Sequence, residues 1–160
     1  MSLGRWLRNR PRFLELSYDL MLAMMRPFRA LSVGRELRWL DFLMRPIERV
    51  SKGIVFDCRM CGQCVLHSTG MTCPMSCPKN LRNGPCGGVR TDGNCEVLPD
   101  EPCIWVEAFE RSLRMGPHGP ALREIRPPLD WARQGSAATV TELRWPGEPQ
   151  PESWSSEAEE

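Results

Sequence analysis

Two amphipathic segments occupy the beginning of the sequence, roughly residues 10–50. In the first, apolar side chains recur at the three- and four-residue spacing of one helix face, at Leu14, Tyr18, Met21, Leu22 and Met25. The second segment starts near Ser32, and its apolar side consists of Leu37, Leu40, Phe42, Leu43 and Ile47. The pattern predicts two helices. Pro27 is expected to end or kink the first, and Pro46 to disturb the end of the second.

Both segments carry arginine on the side opposite their apolar residues, and three roles fit this arrangement. The apolar sides could pack on the rest of the chain as core, dock onto a partner protein, or lie on a membrane surface. Docking is favoured, because the cysteine-rich module that follows is too small to cover such long faces. Binding to a membrane surface is the least favoured role.

The stretch from Cys58 to Pro102 is rich in Gly, Pro and Cys, and no helix or strand of useful length is predicted there. Such a stretch cannot bury enough apolar surface to order itself, so covalent or metal staples must supply the order. From Cys103 the pattern becomes helical again. One apolar stripe ends before Gly116-Pro117 and comprises Ile104, Trp105, Ala108, Phe109 and Leu113.

The sequence from about Gly116 onward is rich in proline and closes with glutamates, which is typical of an extended or disordered tail. Three tryptophans could anchor this tail on the module or on a partner: Trp131, Trp145 and Trp154. We therefore predict a helical N-terminal arm (1–53), a cysteine-rich metal-cluster domain (54–115) and a partly disordered Pro/Glu-rich tail (116–160). The predicted fold class is a small, irregular α+β metal-stapled cysteine domain with flanking N-terminal helices and an extended acidic C-terminal tail.

The net charge of +1 gives no reason to expect nucleic acid as a partner, and in the cysteine region arginines alternate with acids. Charge is nevertheless unevenly distributed. Residues 1–56 carry 11 basic and 5 acidic side chains, whereas residues 136–160 carry one Arg and six Glu. A basic front and an acidic tail suggest interaction surfaces rather than a catalytic cleft. No arrangement typical of an activated nucleophile is evident, so we predict no catalytic residues and a chain that is not catalytic alone.

All 8 cysteines lie between positions 58 and 103, which indicates either a disulfide scaffold or a metal site. Disulfides persist only in oxidising compartments. The apolar run from Phe13 to Met25 is interrupted by Glu15 and Asp19, so it resembles neither a signal peptide nor a membrane span. We therefore expect a reducing, cytoplasmic location, with the cysteines as thiolates on metal.

The spacing of the cysteines favours iron. Three cysteines at x2 spacing, followed later by Cys-Pro pairs, match the ferredoxin-like pattern that wraps a cubane cluster. Gly62 and the Gly87-Gly88 pair permit the close backbone approach that brings N–H groups to cluster sulfurs. Eight thiolates match two 4Fe–4S clusters, although the spacing does not say which cysteines share one. The predicted ligands are Cys58, Cys61, Cys64, Cys73, Cys77, Cys86, Cys95 and Cys103.

Zinc in one or both sites is the alternative, because Cys58-x2-Cys61 would serve as a zinc knuckle. Two such pairs per site would be normal for zinc, and the later spacings do not supply them. His67 and His118 are expected to be surface histidines, since eight cysteines leave no vacancy for another ligand.

One stretch resembles a known family. It runs Cys77-Pro-Lys-Asn-Leu-Arg-Asn-Gly-Pro-Cys86-Gly-Gly, then Gly-Asn-Cys95-Glu-Val and Pro-Cys103-Ile-Trp105. In order and spacing it is similar to the methylenetetrahydrofolate reductase C-terminal domain family, which includes the small subunit of the bacterial reductase. The resemblance covers about residues 54–115.

The resemblance implies a hetero-oligomer with a flavin-containing catalytic subunit that reduces methylene-tetrahydrofolate. FAD is expected in that partner and not in this chain, to which no folate- or flavin-binding residue carries over. The resemblance also implies that the eight cysteines hold metal and that the small subunit passes electrons to the flavin. We thus predict an iron–sulfur electron-transfer or accessory subunit in one-carbon metabolism. The alternative is a zinc-stapled adaptor that stabilises the flavoprotein without carrying electrons.

Overall fold

A computed structural model describes residues 3–32 and 38–144. Within these ranges the chain forms five α-helices: α1 (Leu3–Arg8), α2 (Pro11–Ser32), α3 (Arg38–Phe56), α4 (Ile104–Ser112) and α5 (Ala138–Arg144). Four short 3-10 turns connect them, at Leu66–Ser68, Pro74–Ser76, Gly119–Arg123 and Trp131–Arg133. Among the described residues, no helix has the length and apolar character needed to cross a bilayer.

The two N-terminal helices follow the predicted periodicity, but their prolines do not end them. Pro27 lies inside α2 and Pro46 lies inside α3. Both prolines are exposed, so water can solvate the carbonyl oxygen that each leaves without an N–H donor. Leu37 of the predicted second stripe and the side chain of Met25 lie outside the described residues.

Buried carboxylates attach these helices to the C-terminal half of the chain. Glu15 of α2, 3% exposed, accepts backbone N–H groups of Gly116 (2.7 Å) and His118 (3.0 Å). Glu48 of α3, 4% exposed, accepts those of Ala138 and Thr139 at the start of α5, both at 2.8 Å. A carboxylate that binds the free N–H groups of a helix N-terminus compensates for its own burial.

The cysteine region contains little regular structure, as predicted. Between Cys58 and Pro102 the described chain has two 3-10 turns and two isolated antiparallel bridges, Val89–Cys95 and Asn94–Pro102. The expected α+β class is therefore confirmed for its helical part, whereas the β part is limited to these bridges.

The main core combines helix α2 with the cysteine region. Its buried members are Leu14, Cys61, Leu66, Met71, Cys73, Met75 and Met115. Helix α4 packs beside it, and Gly70 makes this possible. Its φ of +63° is ordinary for glycine, and a Cβ there would overlap the carbonyl oxygen of Ala108.

Helix α4 forms where predicted, but the predicted apolar stripe is wrong at two positions. Phe109 and Leu113 are 55% and 70% exposed. The buried face instead includes Arg111, whose guanidinium donates to Thr72 Oγ1 at 2.8 Å and pairs with Glu107. These two contacts compensate for the burial of the charge, so α4 buries a residue that hydropathy alone predicts to be exposed.

Within residues 116–144, whose composition predicts an extended or disordered segment, the structure has two 3-10 turns, helix α5 and a stretch without regular structure at 125–130. Two side-chain amides hold this segment to the cysteine region. Gln63 exchanges hydrogen bonds with the backbone of Asp130 (2.9 and 3.3 Å), and Asn83 does so with Arg126 (2.7 and 2.9 Å). The residues that anchor it are Ala137 and Val140, with exposures of 0% and 3%, whereas Trp131 is exposed. Residues 145–160, including Trp145 and Trp154, lie outside the described residues.

Candidate metal centres

The eight predicted ligands are all free thiols, and the fold separates them into two groups. One cavity is lined by Cys58, Cys61, Cys64 and Cys73. Another is lined by Cys77, Cys86, Cys95 and Cys103. We call these the first set and the second set. The sequence spacing left this partition open, and the path of the chain supplies it.

The first set lies against the main core. Cys61 and Cys73 are buried, and Cys58 Sγ accepts the N–H of Met60 at 3.4 Å. Burial raises the pKa of the Cys58 and Cys61 thiols above the ordinary value, and it raises that of Cys73 to about 12. Without metal these thiols therefore keep their protons at neutral pH, so metal binding here must displace protons.

The second set is more open to solvent. Cys77 and Cys103 are buried, whereas Cys86 is exposed. The backbone N–H of Gly88 donates to Cys86 Sγ at 3.3 Å, which is the kind of contact expected from the Gly87-Gly88 pair. Gly62, by contrast, serves chain packing, since a Cβ there would overlap the carbonyl oxygen of Arg133.

The chemistry of both donor sets fits a thiolate-held metal centre. Each cavity offers four sulfur donors, the number that both a 4Fe–4S cluster and a tetrahedral zinc site require. In the part of the chain that the structure describes, no three Cys, His, Asp or Glu side chains are arranged as ligands of a single metal ion. The agreement with a metal centre therefore rests on three features of the cysteines: all donors are sulfur, each cavity has four, and the two groups line separate cavities.

Comparison with protein families links this chain to a known family. The family model described as methylene-tetrahydrofolate reductase C terminal matches residues 39–132, more than half of the 160 residues. The chain belongs to this family. Neither the curated proteins nor the solved structures gave a match. The family region includes both cysteine sets and α3, whereas α1, α2 and α5 lie outside it.

Within the reductase C-terminal family region, helix α3 exposes a row of apolar side chains to solvent. Its inward side includes two carboxylates, because Asp41 accepts the N–H of Ala137 (2.7 Å) and Glu48 binds the start of α5. Near the end of the helix, Val55 and Phe56 pack on the main core. Its outward side, which we call the outer face of α3, is apolar. Exposed fractions of 54% to 79% are found there for Trp39, Phe42, Leu43, Ile47, Val50 and Ile54.

Helix α2 also leaves apolar side chains uncovered, although Leu14 joins the core. Phe13, Leu16, Leu20 and Met24 are 57% to 68% exposed. The N-terminal helices are thus core on one side and uncovered on the other.

The two histidines are not the surface residues that the sequence suggested. The His67 ring stacks on Tyr18 with centroids 5.4 Å apart, and His118 Nε2 lies 2.9 Å from Asp19 Oδ1. Both rings lie in one partly buried cluster between α2 and the cysteine region. No sequence signal marks this cluster, because its members are distant along the chain.

His67 should make the protein sensitive to acid. Burial is the largest of the effects that lower the pKa of His67 to about 4. The nearby positive charges of Arg126 and His118 contribute to this lowering, whereas the carboxylate of Asp19 acts to raise the pKa. The unfolded chain binds the proton near pH 6.5, so stability is lost as the pH falls from 6.5 toward 4, by about 3 kcal/mol in total. We expect His67→Phe, which keeps the stacking on Tyr18, to flatten this dependence. Urea unfolding across that pH range measures it, and equal acid slopes in both proteins would contradict it.

Proposed function

We propose that this chain is the metal-carrying accessory subunit of a methylenetetrahydrofolate reductase, with one 4Fe–4S cluster in each cysteine set. The observation that carries the proposal is the partition of eight free thiols into two separate groups of four in a member of the reductase C-terminal family. A 4Fe–4S cluster, when bound, supplies a one-electron redox centre.

The residues of this chain hold and insulate such centres. Cys61 and Cys73 of the first set belong to the main core beside Leu66 and Met75, which shields their thiols from water. The second set lies nearer solvent, with Cys86 exposed. We assign electron transfer to this chain, and flavin and folate binding to a separate catalytic subunit.

We further propose that the outer face of α3 binds that catalytic subunit. The family is described as the C-terminal part of the reductase, so the reductase is the partner that we expect to bind this face. The face includes six large apolar side chains, each more than half exposed, and a buried side chain of this kind contributes about 1.5–3 kcal/mol. The exposed charged residues of α3 are all arginines, Arg38, Arg45 and Arg49, so the matching surface should be apolar with an acidic rim.

The alternative function is a zinc-stapled adaptor that stabilises the reductase without carrying electrons. The Cys58-x2-Cys61 knuckle in the first set is compatible with it. Metal identity, rather than the protein fold, separates the two functions.

The functional test compares iron-loaded and zinc-loaded chain in a complex with the flavin-containing subunit. We expect a low-potential donor to reduce the flavin at least about tenfold faster with the iron-loaded chain. The zinc-loaded chain is the matched control, since it should bind equally well. Equal flavin reduction rates with both forms would contradict electron transfer and favour the adaptor.

A further inference from the structure

Two cationic side chains line the cavity of the first set. Lys52 lies one turn after Glu48 on α3, and its side chain is only 17% exposed. Its ammonium donates to Glu48 Oε1 at 2.8 Å. Because Glu48 is itself fixed by the N–H groups of α5, the ammonium is held in place rather than free in solvent. An ammonium has three N–H donors, so this pairing leaves donors for an acceptor in the cavity.

Arg82 approaches the same cavity from the loop that precedes Cys86. Its Nη1 donates to the carbonyl oxygen of Gln63 at 3.0 Å, and Gln63 is held by the backbone of Asp130. Its Nε is buried and has no hydrogen-bond partner among the described residues. A buried donor without a partner is costly unless a ligand accepts from it.

The charges around the two sets differ in sign. The first cavity is lined by two cations, Lys52 and Arg82, and one carboxylate, Glu48. The second is lined by four cations and five carboxylates: Arg8, Arg59, Lys79, Arg111, Asp57, Glu96, Asp100, Glu101 and Glu107. Three of those cations are paired with carboxylates, as Lys79 is with Glu96. The first set therefore has an excess of positive charge around it, and the second an excess of negative charge.

This difference matters for any thiolate-held centre. Four thiolates around a divalent ion leave a net charge of about −2, and an added electron makes a centre more negative. Buried cations favour the more negative state and so raise the reduction potential, whereas carboxylates lower it. The effect is strongest at the first set, where burial reduces screening by water.

We propose that Lys52 and Arg82 are positioning residues that raise the reduction potential of the centre in the first set above that in the second. The proposal rests on the proposed function for the presence of a redox metal. This difference in potential sets the direction of electron transfer: the centre in the second set, nearer solvent, donates to the centre in the buried first set.

The test is a potentiometric titration of the full-length, iron-loaded chain, followed by visible and electron paramagnetic resonance spectra. Lys52→Gln, which can still donate to Glu48, and Arg82→Gln should each lower the higher of the two potentials. We expect about 59 mV or more, which is a tenfold change in the ratio of oxidised to reduced centre. The conservative variants Lys52→Arg and Arg82→Lys should restore it. Lys79→Gln is the matched control at the second set and should leave the higher potential unchanged.

The proposal would be overturned if the higher of the two reduction potentials stayed the same in fully iron-loaded Lys52→Gln and Arg82→Gln. If Lys52→Gln fails to fold, Arg82→Gln decides alone, because Arg82 is on a loop and donates to the backbone of Gln63 rather than to Glu48.

If the purified chain contains zinc, the proposed function fails but the counter-charges can still be tested. Lys52→Gln and Arg82→Gln should then release the zinc of the first set to a chelator faster than the parent chain. Equal release rates would refute the role of these cations.

Discussion

Replacing Cys61 by Ser is expected to remove the metal centre of the first set and with it most of the stability of the domain. Cys61 is buried in the main core, and the surrounding stretch contains only 3-10 turns and isolated bridges. Under the proposed function the metal supplies the order there, and structural zinc sites contribute about 10–16 kcal/mol in small metal-folded domains. Iron content per chain and thermal unfolding measure the effect.

The partition of the cysteines makes this prediction sharper. Cys73→Ser should behave as Cys61→Ser does, because both residues line the first cavity. Cys86→Ser should instead remove only the second centre and leave the core intact, since Cys86 is exposed outside that core. Full metal content in Cys61→Ser would refute the ligand assignment. Loss of the same spectral signal in Cys73→Ser and Cys86→Ser, but not in Cys61→Ser, would refute the partition.

Placing charge on the outer face of α3 is expected to abolish assembly with the flavin-containing subunit. Phe42 and Ile47 are 79% and 54% exposed, so Phe42→Asp with Ile47→Asp should leave the stability of the isolated chain almost unchanged. In a complex both aspartates would be buried without a partner, and binding should weaken by more than about 3 kcal/mol, or 100-fold. Co-purification and binding titration measure this.

The matched control for the outer face is Leu113→Asp. Leu113 is 70% exposed but follows α4, so the same chemical change should leave assembly intact. Undiminished co-purification of the Phe42→Asp/Ile47→Asp variant would show that the reductase binds elsewhere. Loss of self-association in that variant, with normal reductase binding, would mean that the face joins two copies of this chain.

The helices could be predicted from sequence because periodicity is a local property. Apolar spacing located α2, α3 and α4, and the gap in periodicity located the irregular cysteine region. Which face each helix buries could not be predicted in the same way. Buried polar groups decide it, as Glu48 does in α3 and Arg111 in α4, and hydropathy scores such groups as exposed.

The partition of the cysteines could not be predicted because spacing along the chain does not reveal where a loop returns. Cys73 and Cys77 are only four positions apart, yet they line different cavities. The folding of residues 116–144 was missed for a related reason. Its hydrogen bonds to Gln63 and Asn83 join residues more than 40 positions apart, and a proline-rich composition gives no sign of them.

The most direct test of two four-iron centres is metal and sulfide analysis of the anaerobically purified chain, with visible spectra before and after dithionite. We predict about eight iron and eight labile sulfide per chain, with bleaching on reduction. Zinc without sulfide would contradict the electron-transfer function and make this chain a structural adaptor of its reductase.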